Sequence, residues 1–143
     1  MPTSTAPSTA ASEAWGLFWR IFSDDKPRRM LTLNEFGLAP MQAMALTRLE
    51  PDEPMPMSAL AGLLMCDNSN VTGIVDRLEA LGLVERRPAA RDRRVKAVGL
   101  TERGRELRGA VQQRLSEPPP PLAGLSDEDA ATLRDILRRA LDV

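Results

Sequence analysis

Ser69, Asn70, Thr72, Gly73 and Arg77 fall together within the stretch 67–83, DNSNVTGIVDRLEALGL, and their types suit one kind of chemistry. Short hydroxyl and amide side chains donate and accept hydrogen bonds over a short reach. Gly73 removes bulk, and Arg77 adds a fork of donors that pairs with guanine or phosphate. A slim polar face of this kind fits the floor of a DNA major groove. The opposite side carries Val71, Ile74, Val75 and Leu78 at i, i+3, i+4 and i+7, an apolar stripe at helical period. Asp67, Asn68 or Ser69 can cap the start, because a side-chain oxygen satisfies an orphan backbone N–H. Gly82 can close the end in the left-handed conformation, with Leu83 folding back onto Leu78. Ser69 and Asn70 also fit a purely capping role, and Arg77 can instead pair with Asp76 or Glu79. The same pattern describes a solvated face of an ordinary amphipathic helix, so the neighbouring residues must decide.

A second cluster does. Arg91, Arg93 and Arg94 surround Asp92, and residues 84–108 hold nine Arg or Lys against four acids. That is a local +5 in a chain of net charge −1, so the remainder carries −6. A basic block on a weakly acidic protein marks a site for a polyanion. Arg93 is the candidate for insertion into a narrow minor groove, with Arg91 or Arg94 clamping the backbone. Asp92 is a poor DNA contact and is assigned to holding an Arg side chain. A merely solvated charge run is the plainer alternative.

Other chemistries are missing. With no His, neither a Ser-His-Asp nor a Cys-His nucleophile can be assembled. No His and one Cys exclude the usual zinc ligand sets. There is no GxGxxG and no Walker-type phosphate loop. The reading is therefore not an enzyme, with no cofactor and no metal, although a carboxylate-only mechanism stays open. Cys66 is read as a small core filler rather than a redox sensor.

The 143 residues suit one domain with extensions, and 43% hydrophobic content is enough for a core. No apolar run approaches the ~18–20 residues of a membrane span. The opening MPTSTAPSTAAS lacks the pattern of a signal peptide and reads as a disordered tail over 1–11. A lone Cys fits a reducing cytoplasm.

The elements that must position the polar face follow from periodicity. Trp15, Phe18, Trp19 and Phe22 form an aromatic stripe on a helix from Ser12 to about Phe22, read as dimer packing with part of a ligand pocket as a second use. Intrachain core is the alternative. Residues 23–34 read as a loop or frayed helix end. Pro40 suits the first position of a helix running to Leu49, with Met41, Met44 and Ala45 inward. Trp15, Trp19, Met41 and Met44 are the candidate pocket residues. Met55 to Met57 is a short extended piece, and Ser58 can cap a helix from Ala59 to Met65 with Leu60, Leu63 and Leu64 on its apolar side. Two helices joined by a tight turn, the second with a slim polar face, make a helix-turn-helix. Residues 83–87 and 95–100 then read as strands around the loop 88–94, a β-hairpin with a basic tip. A helix-turn-helix followed by such a hairpin is a winged helix.

Thr101 caps a helix to about Ser116, Pro118 to Pro121 ends it, and Ser126 with Asp129 opens a last helix to Leu141. The expected fold is thus mainly α with a small β-hairpin wing. Residues 12–36 form an N-terminal dimerisation helix and loop, 37–100 the winged helix-turn-helix lobe, and 101–143 C-terminal dimerisation helices.

With these residues in place, the sequence resembles the MarR family (multiple antibiotic resistance regulators). The resemblance is carried by Asn70-Val71-Thr72, Val75-Asp76-Arg77-Leu78-Glu79, Gly82-Leu83-Val84-Glu85-Arg86, Asp92-Arg93-Arg94 and Leu100-Thr101-Glu102-Arg103-Gly104. It implies a homodimeric transcription regulator on double-stranded DNA, acting as a repressor at a pseudo-palindromic operator. Recognition helices would enter successive major grooves and wings the flanking minor grooves. Family members commonly respond to small anionic or phenolic effectors or to oxidants. The Pro118–Pro121 run departs from the long dimerisation helix of relatives, and the lack of His and Tyr departs from their ligand pockets. A winged-helix module that binds protein without DNA is the alternative.

Overall fold

The computed structural model describes residues 8–89 and 91–143. Its elements run α1 (Thr9–Asp24), α2 (Lys26–Glu35), α3 (Pro40–Arg48), β1 (Met55–Pro56), α4 (Met57–Leu64), α5 (Asn68–Ala80), β2 (Val84–Pro88), β3 (Lys96–Leu100), α6 (Glu102–Leu115), α7 (Pro120–Ala123) and α8 (Asp127–Leu141). They fall into two compact units. One joins residues up to Pro27 with Glu117–Val143, and the other is Arg28–Ser116.

The second unit holds the core. Leu46 and Leu49 of the α3 segment, Leu60 and Leu64 of α4, and Val75 and Leu78 of α5 are buried against one another. Each such side chain removed from water contributes about 1.5–3 kcal/mol. Strands β2 and β3 close the unit, with Val84, Val98 and Leu100 turned into the same core. The sheet has order β1-β3-β2 and is antiparallel throughout. The extended piece at Met55 is thus a paired third strand, Met55 opposite Val98 and Pro56 opposite Ala97. At two residues on the sheet edge, β1 tolerates a proline that a central strand would reject.

Several expectations are corrected. Residues 23–34 are not a loop: α2 is helical from Lys26, because Pro27 sits in the first turn, where its missing N–H and fixed φ cost nothing. The tail ends earlier than residue 11. Ser8 accepts the Ala11 N–H at 3.1 Å and caps α1, while residues 1–7 lie outside the described residues. On α3 the inner side is formed by Ala43, Ala45 and Leu46, followed by Leu49, so Ala45 lies inward as expected but the two methionines do not. Met41 and Met44 therefore face outward, 36% and 41% exposed. Helix α4 starts at Met57 after Pro56, so Ser58 is not its cap, and Leu63 is exposed while Ala61 takes its place inside. Met65 ends α4 in the left-handed conformation, where glycine is the usual choice. Cys66 is half-buried and packs against the core.

In the unit of the chain ends, α1 and α8 bury no residue at all. Trp15 and Trp19 are 69% and 60% exposed, and their rings stack obliquely with centroids 6.5 Å apart. They line an apolar groove of about 280 Å³ together with Phe18 and Phe22. An intrachain core role for this stripe is excluded by that exposure. Leu122, Leu125, Leu133, Leu137 and Leu141 line a second apolar groove of about 420 Å³ along α7 and α8. Ser126 caps α8 by accepting the Asp129 N–H at 3.1 Å, and Pro119 and Pro120 begin the short α7 that separates α6 from α8. No helix among the described residues is long and apolar enough to cross a membrane.

Candidate nucleic-acid interface

Helix α5 carries the candidate contact residues, and its ends are firmly fixed. Asp67 is the cap: its Oδ1 accepts the Asn70 N–H at 2.8 Å and the Ser69 hydroxyl at 3.0 Å. These bonds, led by the Asn70 N–H, hold the Asp67 carboxyl below the usual carboxylate range. Ser69 thus supports the cap, while no hydrogen bond of the Asn70 side chain is present among the described residues. Thr72 donates its hydroxyl to the Asn68 carbonyl at 2.8 Å. At the far end Gly82 has φ +73°, its N–H reaches the Glu79 carbonyl at 2.9 Å, and the Leu83 N–H reaches the Leu78 carbonyl at 3.0 Å. This double closure is the Schellman motif, and it buries Leu83.

Val71, Val75 and Leu78 point into the core, so Ser69, Asn70, Thr72, Gly73 and Arg77 are all left exposed on the outer side. A side chain at Gly73 would meet nothing within 4 Å in the free protein. The glycine is therefore not required by packing. Gly73→Ala is expected to raise folding stability by roughly 1 kcal/mol, the helix-propensity difference. If the helix approaches DNA closely there, the same variant binds DNA more weakly. Urea midpoints and DNA titrations on one preparation check both signs; a stabler variant with undiminished DNA affinity removes Gly73 from the contact face.

The wing is the β2–β3 hairpin, paired from Val84 opposite Leu100 to Pro88 opposite Lys96. Its tip is held by Ala89 N–H to the Val95 carbonyl at 2.8 Å and Val95 N–H to the Asp92 carbonyl at 3.0 Å; Ala90 lies outside the described residues. Asp92 accepts from Arg94 three times, from its backbone N–H at 3.0 Å, its Nε at 3.2 Å and its Nη2 at 3.3 Å. The Arg94 side chain, first among these partners, keeps the Asp92 carboxyl below its ordinary range. Arg91 and Arg93 are exposed and carry no ion pair among the described residues.

Sequence reasoning missed what joins helix and wing. Arg86 of β2 gives Nη2 to Asp76 and Nη1 to Glu79 at 2.9 Å, and its backbone N–H also reaches Glu79 at 3.3 Å. The Asp76 bond, followed by the Glu79 charge, holds the Arg86 guanidinium above even its usual high pKa. Asp76 and Glu79 are thus taken by Arg86, and Arg77 has no ion pair among the described residues. The signal was present: two acids at i and i+3 near a helix end, then an Arg just past a Gly turn. A hollow of about 400 Å³, bordered by Ser58, Asn68, Thr72, Arg86 and Lys96, lies between α4, α5 and the root of the wing. Thr101 forms a second junction. It caps α6 by accepting the Gly104 N–H at 3.0 Å and donates its hydroxyl to the Gly82 carbonyl at 2.7 Å.

Comparison with known proteins agrees with this geometry. A sequence profile for the MarR family matches residues 38–96, from just before α3 to the first residue of β3. The HTH-type transcriptional repressor MdtR of Bacillus subtilis (strain 168) is 30% identical over 84 residues, 59% of this chain and 54% of that protein. The structure of a MarR family protein from Bacillus stearothermophilus superposes with a TM-score of 0.77 at 26% identity, covering 96% of this chain and 97% of that one. CouR from Rhodococcus jostii RHA1, solved bound to p-coumaroyl-CoA, is 30% identical with a TM-score of 0.66, covering 92% of this chain and 94% of that one. The chain belongs to the MarR family of winged helix-turn-helix, DNA-binding transcriptional regulators, which are not enzymes.

Proposed function

We propose that this protein is a homodimeric repressor that grips a pseudo-palindromic operator. Recognition helices α5 enter successive major grooves and each wing lies along the flanking minor groove. The observation that carries this reading is the exposed polar face of α5 next to a wing whose Arg93 guanidinium has no ion pair among the described residues. Ser69, Asn70, Thr72, Gly73 and Arg77 supply base-edge and phosphate contacts, Arg93 enters the minor groove, and Arg91 and Arg94 hold the backbone. Asp92 supports the wing by fixing Arg94. Repression in place of activation is supported by the relative MdtR.

The exposed stripes on α1 and α8 supply the dimer surface. A small-molecule effector that releases DNA is supported by the ligand-bound structure of CouR. Trp15 and Trp19 are its proposed lining, and Met41 and Met44 lie on the accessible side of α3. The regulator works in the cytoplasm.

Arg93→Ala is the direct test. A guanidinium seated in the minor groove lies between two rows of phosphates and displaces counterions there, so its loss lowers the slope of log affinity against log salt by about one unit and weakens operator binding. A titration at several salt concentrations reads both quantities. If affinity and slope stay at the wild-type values, Arg93 is not the wing's contact residue.

A further inference from the structure

The geometry points to Arg86 as a positioning residue: by joining Asp76 and Glu79 of α5 to strand β2, it fixes the wing against the recognition helix and masks two carboxylates that would otherwise oppose DNA. The inference rests on the DNA-binding reading above and deepens it.

Asp76 and Glu79 follow Thr72 at i+4 and i+7, so they continue up the helix from a proposed contact residue. Their side chains stay 60% and 44% exposed. Bare carboxylates at that height would repel phosphates and would also draw Arg77, which lies next to Asp76, into a local pair. Arg86 prevents both. Each of its Nη atoms is already bonded to one carboxylate, so the fork is not available for a bidentate phosphate contact. Its backbone N–H adds a third bond to Glu79, which ties the strand itself, not only the side chain, to the helix. Opposite it in register lies Val98, buried in the core, so the clamp sits at the rigid root of the hairpin. The wing tip is thereby held at a fixed angle to α5, and Arg77 is left for DNA.

The test is a mutant cycle on DNA selected by the wild-type protein, read by fluorescence anisotropy. Arg86→Met is expected to weaken binding roughly tenfold, the effect of exposing two charges near phosphates at surface dielectric. Asp76→Asn with Glu79→Gln opens the same clamp but bares no charge, so alone it weakens binding less than Arg86→Met does, and added to Arg86→Met it recovers the part of the loss due to repulsion. The two effects are thus strongly non-additive. Simple additivity, or an Arg86→Met protein of unchanged affinity, overturns the inference. If Arg86→Met does not fold, Arg86→Lys enters the same cycle, because one ammonium cannot hold both carboxylates and the expected coupling keeps its sign. Hydrogen exchange on the DNA-free protein gives an independent reading: the amides of Arg86 and of the last turn of α5 exchange faster in the variant. Unchanged exchange contradicts the clamp even if the wild type selects no DNA, a result that would count against the proposed function separately.

Discussion

Replacing Gly104 by alanine is expected to destabilise the protein by about 3 kcal/mol, at the top of the usual range for overpacking. A Cβ at that position would lie 1.9 Å from the Leu83 carbonyl oxygen and 2.9 Å from its carbon. Those are backbone atoms, so no side chain can swing aside. Nor is Leu83 free to retreat. It is buried, its carbonyl accepts the Thr101 N–H at 3.1 Å, and its own N–H closes the end of α5. Moving it disturbs the recognition helix's cap, the first residues of the wing and the start of α6 together. Gly109, on the same helix, is the control: a Cβ there meets nothing within 4 Å. Gly109→Ala is expected to gain up to about 1 kcal/mol from helix propensity. Urea denaturation of the two variants should therefore move the midpoint in opposite directions, and equal midpoints would contradict the close helix–strand approach.

The second large effect concerns the chain ends. The double variant Trp15→Ala with Trp19→Ala is expected to leave the folded chain intact, because both rings are mostly exposed and support no core. It is expected to abolish the dimer. Buried aromatic anchors contribute about 2 kcal/mol or more each to an interface, so the pair weakens association on the order of a thousandfold. Operator binding then falls with it, since a monomer reaches one half-site and loses the ~10²–10⁴ gain of linked binding. Sedimentation of the variant beside the wild type reads the oligomer directly. A variant that is folded, dimeric and binds the operator normally would remove α1 from the interface.

What could be read from the residues and what could not divides along physical lines. Helix α5 was legible because Val71, Val75, Leu78 and the Gly82-Leu83 end are local signals, each within a few residues of the next. The wing was legible for the same reason, its strands found within a residue of their observed ends. Helix α2 was hidden by Pro27 and the polar run after it, since proline breaks a helix interior but suits its first turn. The inner side of α3 was misread in part because its methionines look like core, whereas two alanines and Leu46 fill it. Pairing of Met55 with Val98 and the approach of Gly104 to Leu83 depend on tertiary geometry, and no local pattern announces them. At the site, the proposed contact residues were chosen by type, and they lie exposed. The Arg86 clamp was missed because its partners lie 7 and 10 residues back, across the turn.

The account is tested most directly by incubating purified protein with fragmented genomic DNA at physiological salt and sequencing what it retains. It predicts enrichment of fragments sharing a pseudo-palindrome, with half-sites about one helical turn apart, roughly 10–10.5 base pairs. Recovery of fragments with no common sequence, or of none above background, would contradict it.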